Sequence, residues 1–141
     1  MIYYSSSGKN NNKDYLRVSL SELMNQSDVI SIHCDLNPKT HHLVSKNELT
    51  MMKRCHTLMN FARGDVINEL DLANYLQVND KIKVALDVSS YEPEIEKSPL
   101  FSLINQSRIL ITPHMSWASI ESRKRLIEHI GHNLKTFFDE N

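Results

Sequence analysis

Polar side chains of three different chemistries follow three apolar, strand-like segments of this sequence. Arg63 comes shortly after the first of these segments, Asp87 and Glu92 follow the second, and His114 follows the third. In an open α/β sheet, ligands bind beyond the carboxyl ends of the strands, so we expect these side chains to lie at one edge. A guanidinium binds a carboxylate in a fork, an imidazole donates a proton, and a carboxylate orients the imidazole. The set therefore predicts chemistry on a 2-oxo acid.

Strand-like and amphipathic segments alternate along the chain and would position these residues. Apolar segments that predict strands lie at residues 2–4, 29–32, 57–60, 84–88 and 108–112. Helix starts are predicted at capping residues Ser19, Ser45, Asn68 and Ser119. Because strands that are apolar on both faces alternate with helices, the sequence predicts an α/β fold in which helices cover both faces of a parallel sheet.

Length and composition favour one domain without a strongly charged partner. The chain has 141 residues, of which 40% are hydrophobic and 23% charged, and its formal net charge is −1. Nucleic acid is therefore not an expected partner. A membrane is not expected either, because no apolar run approaches the roughly 20 residues that a spanning helix needs. The N-terminus lacks the features of a secretory signal, so a cytoplasmic location is predicted.

Four motifs carry a resemblance to a known family. They are Ser27-Asp28-Val29-Ile30-Ser31-Ile32-His33-Cys34, Phe61-Ala62-Arg63-Gly64, Ala85-Leu86-Asp87-Val88 with Glu92-Pro93, and Thr112-Pro113-His114. In order and spacing they resemble the D-isomer-specific 2-hydroxyacid dehydrogenases, and the stretch after Pro113 is most similar to glycerate dehydrogenase or hydroxypyruvate reductase members. The resemblance implies a Rossmann-like, dinucleotide-binding domain. In isolation, each of these polar residues would be assigned to a solvated loop or a structural contact, and their common register favours the functional interpretation.

The resemblance also implies a role for each site residue. Arg63 would bind the substrate carboxylate, His114 would exchange a proton with the substrate oxygen, and Glu92 would pair with His114. Cofactor-binding positions are implied at Ser5, His33, Cys34, Phe61, Ala62 and Asp87. The implied cofactor is NAD, which accepts or donates the hydride. NADP is also possible, because Ser5 stands where the family often has an acidic residue that repels a 2′-phosphate. A homodimer is implied for the complete protein.

The chain departs from the family pattern at its start. It contains only three glycines, and they are too far apart to form a Gly-x-Gly-x-x-Gly turn. The first Rossmann strand, this turn and the N-terminal substrate domain are therefore expected to be absent, so that residues 1–141 form a partial domain. In the strand order 3-2-1-4-5-6 the absent strand is central. We therefore expect a sheet interrupted between the strand at Val29 and the strand at Leu58.

Other features predict no additional site. His41 and His42 could be metal ligands, but adjacent side chains diverge on most backbones and no third ligand has a suitable spacing, so no metal is predicted. Cys34 and Cys55 predict neither a disulfide scaffold nor a four-cysteine zinc site.

Three hypotheses remain for the function. The first is a fragment of an oxidoreductase that is inactive in isolation. The second is a non-enzymatic dinucleotide-sensing or protein-interaction module, and the third is a non-functional remnant.

Overall fold

Short apolar segments form two parallel sheets in the computed structural model, which describes residues 1–140. The smaller sheet pairs β1 with β2, and the larger contains four strands in the order β3-β4-β5-β6. The strands are β1 Ile2–Tyr3, β2 Leu16–Arg17, β3 Val29–Ile32, β4 Thr57–Asn60, β5 Lys83–Leu86 and β6 Ile109–Ile111. This parallel α/β arrangement confirms the predicted Rossmann-like fold class.

The helices begin where the capping residues predict. They are α1 Leu20–Gln26, α2 Lys46–Met51, α3 Glu69–Val78 and α4 Ile120–Asp139, with short 3-10 helices at Gly64–Val66, Ile95–Lys97 and Phe101–Leu103. At α1 the Ser19 Oγ accepts a hydrogen bond from the Glu22 N–H, and the Glu22 carboxylate accepts one from the Ser19 N–H. Such reciprocal bonds satisfy N–H groups that have no partner within the helix.

The interruption of the sheet lies elsewhere than predicted. Val29 in β3 pairs directly with Thr57 in β4, so the expected break between these two strands is wrong. The unpredicted strand β2 pairs with β1, and the two sheets are separate between β1 and β3. Unlike residues 2–4, which form a continuous apolar and aromatic run, Leu16 and Arg17 of β2 are both exposed and belong to no apolar run that would mark a strand. The sequence pattern therefore predicts for β3 the place in the strand order that β2 occupies.

The strands of the larger sheet end in register. Ile32 pairs with Asn60, Asn60 with Leu86, and Leu86 with Ile111. The residues that follow the four strands are His33, Phe61, Asp87 and Thr112. These four residues therefore begin the loops along one straight edge, which we call the carboxyl edge.

One face of the sheet is packed and the other is open. Alternate strand residues, including Ile30, Leu58 and Val84, are buried in the core with side chains from α1, α2 and α3. On the opposite face Val29 and Leu110 are 49% and 59% exposed. Within residues 1–140, the structure therefore shows helices packed against a single face, whereas the sequence predicts helices on both.

Helix α4 projects from the packed part of the molecule. None of its residues is buried, although it carries an apolar stripe. This stripe, consisting of Leu126, Ile127, Ile130, Leu134, Phe137 and Phe138, is 46% to 73% exposed. Across residues 1–140, no helix combines the length and apolarity needed to cross a membrane.

Candidate functional site

A histidine and a glutamate from neighbouring loops meet at the carboxyl edge. His114, in the loop after β6, places its Nδ1 3.0 Å from Oε2 of Glu92, in the loop after β5. The other Glu92 oxygen accepts a hydrogen bond of 2.7 Å from the Ser89 N–H, which fixes the carboxylate. Trp117 Nε1 donates to the His114 carbonyl oxygen at 2.8 Å. The imidazole is therefore held at Nδ1, and its Nε2 is left to exchange a proton with a ligand.

Asp87 anchors the loop that carries His114. Its Oδ1 accepts hydrogen bonds from Thr112 Oγ1 at 2.5 Å and from the Met115 N–H at 2.9 Å. Its Oδ2 accepts one from the Ser116 N–H at 2.8 Å. Because these donors lie on both sides of His114, the buried carboxylate sets where the imidazole stands.

The same contacts determine the charge of Asp87. Burial by itself raises the pKa of this carboxyl, since the charged form loses water. The hydrogen bonds from Ser116 and Thr112, with that from the Met115 N–H, outweigh burial and hold the pKa well below its usual range. Asp87 is therefore a carboxylate at neutral pH, and it acts as an acceptor only.

Arg63 stands on the next turn along the carboxyl edge. Asn60, at the end of β4, is 1% exposed and shapes this turn: its Oδ1 accepts from the Ala62 N–H, and its Nδ2 donates to the Arg63 carbonyl oxygen. The Arg63 side chain is exposed, and its Nη1 donates to the Ala62 carbonyl oxygen at 2.7 Å. Among residues 1–140, no carboxylate lies within ion-pair distance of Arg63. The guanidinium is thus available to bind an anion.

Gly64 allows the turn that carries Arg63 to pack against the loop after β5, which carries Glu92. A Cβ atom added to Gly64 would collide with the backbone of Ser89 and Ser90, so only glycine permits this approach. The Ser89 N–H in turn binds Glu92. The structure therefore links the turn of Arg63 to the pair of Glu92 and His114 through a short series of contacts.

A buried glutamate outside the predicted site holds the loop after β5 in place through hydrogen bonds. Glu69, at the start of α3, is 4% exposed. Its Oε1 accepts from the Ser89 hydroxyl and the Ser90 N–H, and its Oε2 accepts from the Ser98 hydroxyl. In the sequence, Glu69 is an ordinary acidic residue in the first turn of a helix, and nothing local distinguishes it. Asn60 is likewise not among the predicted site residues, although a polar residue that ends an apolar strand is a usable signal.

A cavity of about 330 Å³ adjoins the histidine and the glutamate. Its walls are mainly apolar and include Pro93, Ile95, Ile104 and Ile111. The polar residues of the lining are Ser89, Glu92, Thr112 and His114, whereas Arg63 does not line the cavity. The cavity therefore suits a small ligand whose polar end faces the imidazole.

The predicted cofactor positions divide between two places. His33 and Phe61 begin loops at the carboxyl edge, and their rings stack with centroids 5.7 Å apart. Ala62 follows Phe61 in the same turn and is buried. Cys34 follows His33, and burial raises the pKa of its thiol, so it is not an activated nucleophile. Ser5 is buried in the loop that follows β1, a strand of the smaller sheet, and does not follow a strand of the larger one.

The residues at the carboxyl edge, among them His33 and Phe61, fit one end of a dinucleotide. The stacked rings and the flush strand ends provide an edge of the type at which Rossmann folds bind nucleotides. The pyrophosphate cradle of such folds is a glycine-rich turn, which this sequence does not contain.

The chain matches a known family model over most of its length. Residues 1–116 match the model described as D-isomer specific 2-hydroxyacid dehydrogenase, NAD binding domain. The chain belongs to this family. Residues 1–116 therefore correspond to the NAD-binding domain of the D-isomer specific 2-hydroxyacid dehydrogenases, as the sequence motifs predict.

Comparisons with individual proteins agree with this assignment. A hydroxypyruvate reductase from Blautia hydrogenotrophica is 41% identical over 126 residues, which cover 89% of this chain and 38% of that protein. Among solved structures, the D-lactate dehydrogenase from Aquifex aeolicus in complex with NAD and lactic acid has a TM-score of 0.81 and 27% identity, covering 97% of this chain and 45% of that chain. The acyclic imino acid reductase Bsp5 in complex with NADPH and D-Arg has a TM-score of 0.84 and 28% identity, covering 99% and 43%. The chain thus spans less than half the length of these relatives.

Proposed function

We propose that this chain supplies the dinucleotide edge and the proton donor of an oxidoreductase acting on a small 2-oxo or 2-hydroxy acid. The observation that carries the proposal is the contact of 3.0 Å between His114 and Glu92 beside a small, mainly apolar cavity. The relatives named as hydroxypyruvate reductase and D-lactate dehydrogenase support this substrate class. Hydroxypyruvate and glyoxylate are the first substrates to test, since a glyoxylate reductase from Saccharomyces cerevisiae is also 36% identical over 118 residues.

Each residue of the chain has one task in this proposal. His114 gives a proton to the substrate oxygen during reduction and takes it back during oxidation, while Glu92 holds the imidazole ring in place through its contact with Nδ1. Arg63 binds the substrate carboxylate, because a guanidinium and a carboxylate form paired hydrogen bonds. Asp87 positions the loop of His114 through the hydrogen bonds already described.

The cofactor supplies the hydride or accepts it. We propose that His33, Cys34, Phe61 and Ala62 lie along its nicotinamide half, and that Ser5 lies near its adenosine ribose. Ser5 is uncharged, which leaves room for either NAD or NADP. The solved relatives support both choices, since one was obtained with NAD and another with NADPH.

The assembly around this chain is also a proposal. Residues 1–141 would form part of a dinucleotide-binding domain that works with a separate substrate domain, and the isolated chain would be inactive because it has no glycine-rich turn. The complete protein would be a homodimer, for which the exposed apolar stripe of α4 offers surface. A cytoplasmic location is supported by two cysteines that are both free thiols.

A second candidate is a dinucleotide-sensing or protein-interaction module without turnover. The exposed stripe of α4 favours it, because contiguous apolar surface of this kind commonly marks an interaction site. Retention of the His114 and Glu92 pair favours the enzyme instead. The two candidates differ in one measurable property, which is hydride transfer.

A chimeric enzyme tests the proposal. This chain replaces the matching region of the Blautia hydroxypyruvate reductase, and loss of NADH absorbance is measured with hydroxypyruvate or glyoxylate. We expect turnover, and we expect His114→Ala to lower kcat by about 10²–10⁴-fold while NADH binding is kept. His129→Ala on the exposed α4 is the matched control and should not change kcat. Unchanged kcat in His114→Ala would refute the assigned proton transfer, and a folded chimera that binds NADH without turnover would favour the sensing module.

A further inference from the structure

A second cluster of ligand-type side chains contains neither Glu92 nor His114. His41, His42 and Asp65 each present one possible ligand atom, and these atoms all lie within 4.8 Å of one another. The two imidazole rings have centroids 3.9 Å apart. Four-coordinate zinc with bonds of about 2.0–2.2 Å places its ligand atoms about 3.3–3.6 Å apart. The three groups thus need to move inward by only about 1 Å, which rotation of the two exposed histidine side chains can provide.

The backbone explains why two adjacent histidines point to one place. His42 has a φ of 52°, in the left-handed region that residues other than glycine rarely adopt. Adjacent side chains diverge on an extended chain, and this left-handed residue reverses that tendency. Adjacent histidines can therefore face one point at this position, and Asp65 offers a third possible ligand atom that the linear spacing does not reveal.

Backbone hydrogen bonds hold the histidines beside the aspartate. The His42 N–H donates to the Asp65 carbonyl oxygen at 2.7 Å, and the Val44 N–H donates to the Val66 carbonyl oxygen at 3.0 Å. The Asn68 N–H donates to the Val44 carbonyl oxygen at 2.9 Å, which continues the pairing of the two segments. The cluster is therefore organised by main-chain contacts and does not depend on a metal for its assembly.

The ligand set selects a class of metal. Two imidazoles and one carboxylate form the kind of three-ligand zinc site that leaves a fourth position to water. Both histidines are exposed, and Asp65 is half-buried. His42 Nδ1 has one competing contact, 3.5 Å from Asn68 Nδ2, which is at the outer limit of a hydrogen bond and is readily replaced.

We propose that His41, His42 and Asp65 form a binding site for a divalent transition-metal ion, best suited to zinc(II). Asp65 belongs to the 3-10 helix Gly64–Val66, which directly follows Arg63. A bound ion would join the loop of the histidines to the turn of that arginine. The site therefore stabilises this turn when metal is present, and it is separate from the proposed proton transfer.

Titration of the 141-residue chain with zinc chloride tests the proposal. Isothermal calorimetry should show one ion per chain, and cobalt(II) in place of zinc should give the visible absorption of a low-symmetry site. His41→Gln, His42→Asn and Asp65→Asn should each weaken the affinity by about 100-fold or more, since even residues behind a ligand contribute 10–100-fold. Asparagine is chosen at position 42 because it tolerates the left-handed backbone.

Two histidines on α4 provide the control for this titration. The double variant His129→Gln and His132→Gln removes an exposed pair on α4 and should leave the affinity unchanged. Far-ultraviolet circular dichroism without metal checks that each variant is folded. If His42→Asn does not fold, the variant of the exposed His41, His41→Gln, still tests the proposal. Zinc affinity that survives in all three ligand variants would overturn the proposal. Affinity that falls in the α4 double variant, or no saturable binding below about 1 mM, would overturn it equally.

Discussion

Replacing Asp87 by asparagine should destabilise the fold and release the loop of His114. The carboxylate accepts three hydrogen bonds, from Thr112 Oγ1 and from the N–H groups of Met115 and Ser116. In the variant, an amide NH2 must face one of these donors, which loses a hydrogen bond to a charged group worth about 1.5–3 kcal/mol. The remaining bonds weaken because their acceptor is neutral. We therefore expect Asp87→Asn to lower the free energy of unfolding by about 3 kcal/mol.

Urea unfolding followed by circular dichroism measures this loss. Asp28→Asn is the matched control, because Asp28 forms an exposed ion pair of 3.2 Å with Arg54. Exposed pairs of this kind contribute at most about 1 kcal/mol. If Asp87→Asn changed the free energy of unfolding no more than Asp28→Asn does, the hydrogen bonds of Asp87 would not hold the loop and the reasoning would be refuted.

The pH dependence of stability gives an independent check of the same residue. Since the folded pKa of Asp87 is lowered, its contribution to stability is complete above the unfolded value of about 3.9. The contribution is lost as the pH falls below that value toward the folded pKa. The difference in unfolding free energy between the native chain and Asp87→Asn should therefore shrink as the pH falls from 4 toward 2, by at most about 1.4 kcal/mol per pH unit. A difference that stays constant over this range would contradict a charged Asp87.

A pair of glycine substitutions and a thiol reaction test other contacts. Gly64→Ala should lower the free energy of unfolding by about 1–3 kcal/mol or more, because its Cβ collides with the backbone of the glutamate loop. Gly131→Ala, which meets nothing within 4 Å inside α4, should raise it by about 0.5–1 kcal/mol, and equal effects in the two variants would contradict the close approach. The thiols of Cys34 and Cys55, whose pKa values are raised by burial, should react with a disulfide reagent at pH 8 more slowly than the same thiols in urea. Equal rates in the folded and unfolded chain would show that neither thiol is protected.

Local sequence patterns predicted most of the secondary structure. Ser19 and Glu22 are three residues apart, so their hydrogen bonds form whenever the helix forms, and no distant contact is needed. The four strands of the larger sheet are apolar runs between turn residues, and their order along the chain follows the alternation with helices. The sequence does not reveal β2, because Leu16 and Arg17 are exposed and belong to no apolar run, and without β2 the predicted break in the sheet falls in the wrong place.

The candidate site was also predicted in part from the sequence and in part not. The sequence identified Glu92 and His114 through their place after two strands, and the structure brings them to 3.0 Å. It also identified Arg63, which the structure places on the adjoining turn, outside the lining of the cavity. The role of Asp87 as an anchor was not predicted, because its hydrogen-bond donors lie 25 to 29 residues away.

By itself, the amino-acid order determined the helices, the strands of the larger sheet and the family, since each depends on residues close together in the chain or on motifs read in sequence. Only the tertiary structure decided which side chains meet. Strand pairing joins segments separated by whole helices, and the packing of the loops and helices between them brings Glu69 to the Ser89 hydroxyl and Asp65 beside the two histidines. Such contacts depend on how separate segments pack and on backbone angles such as that of His42, and neither property has a local signature.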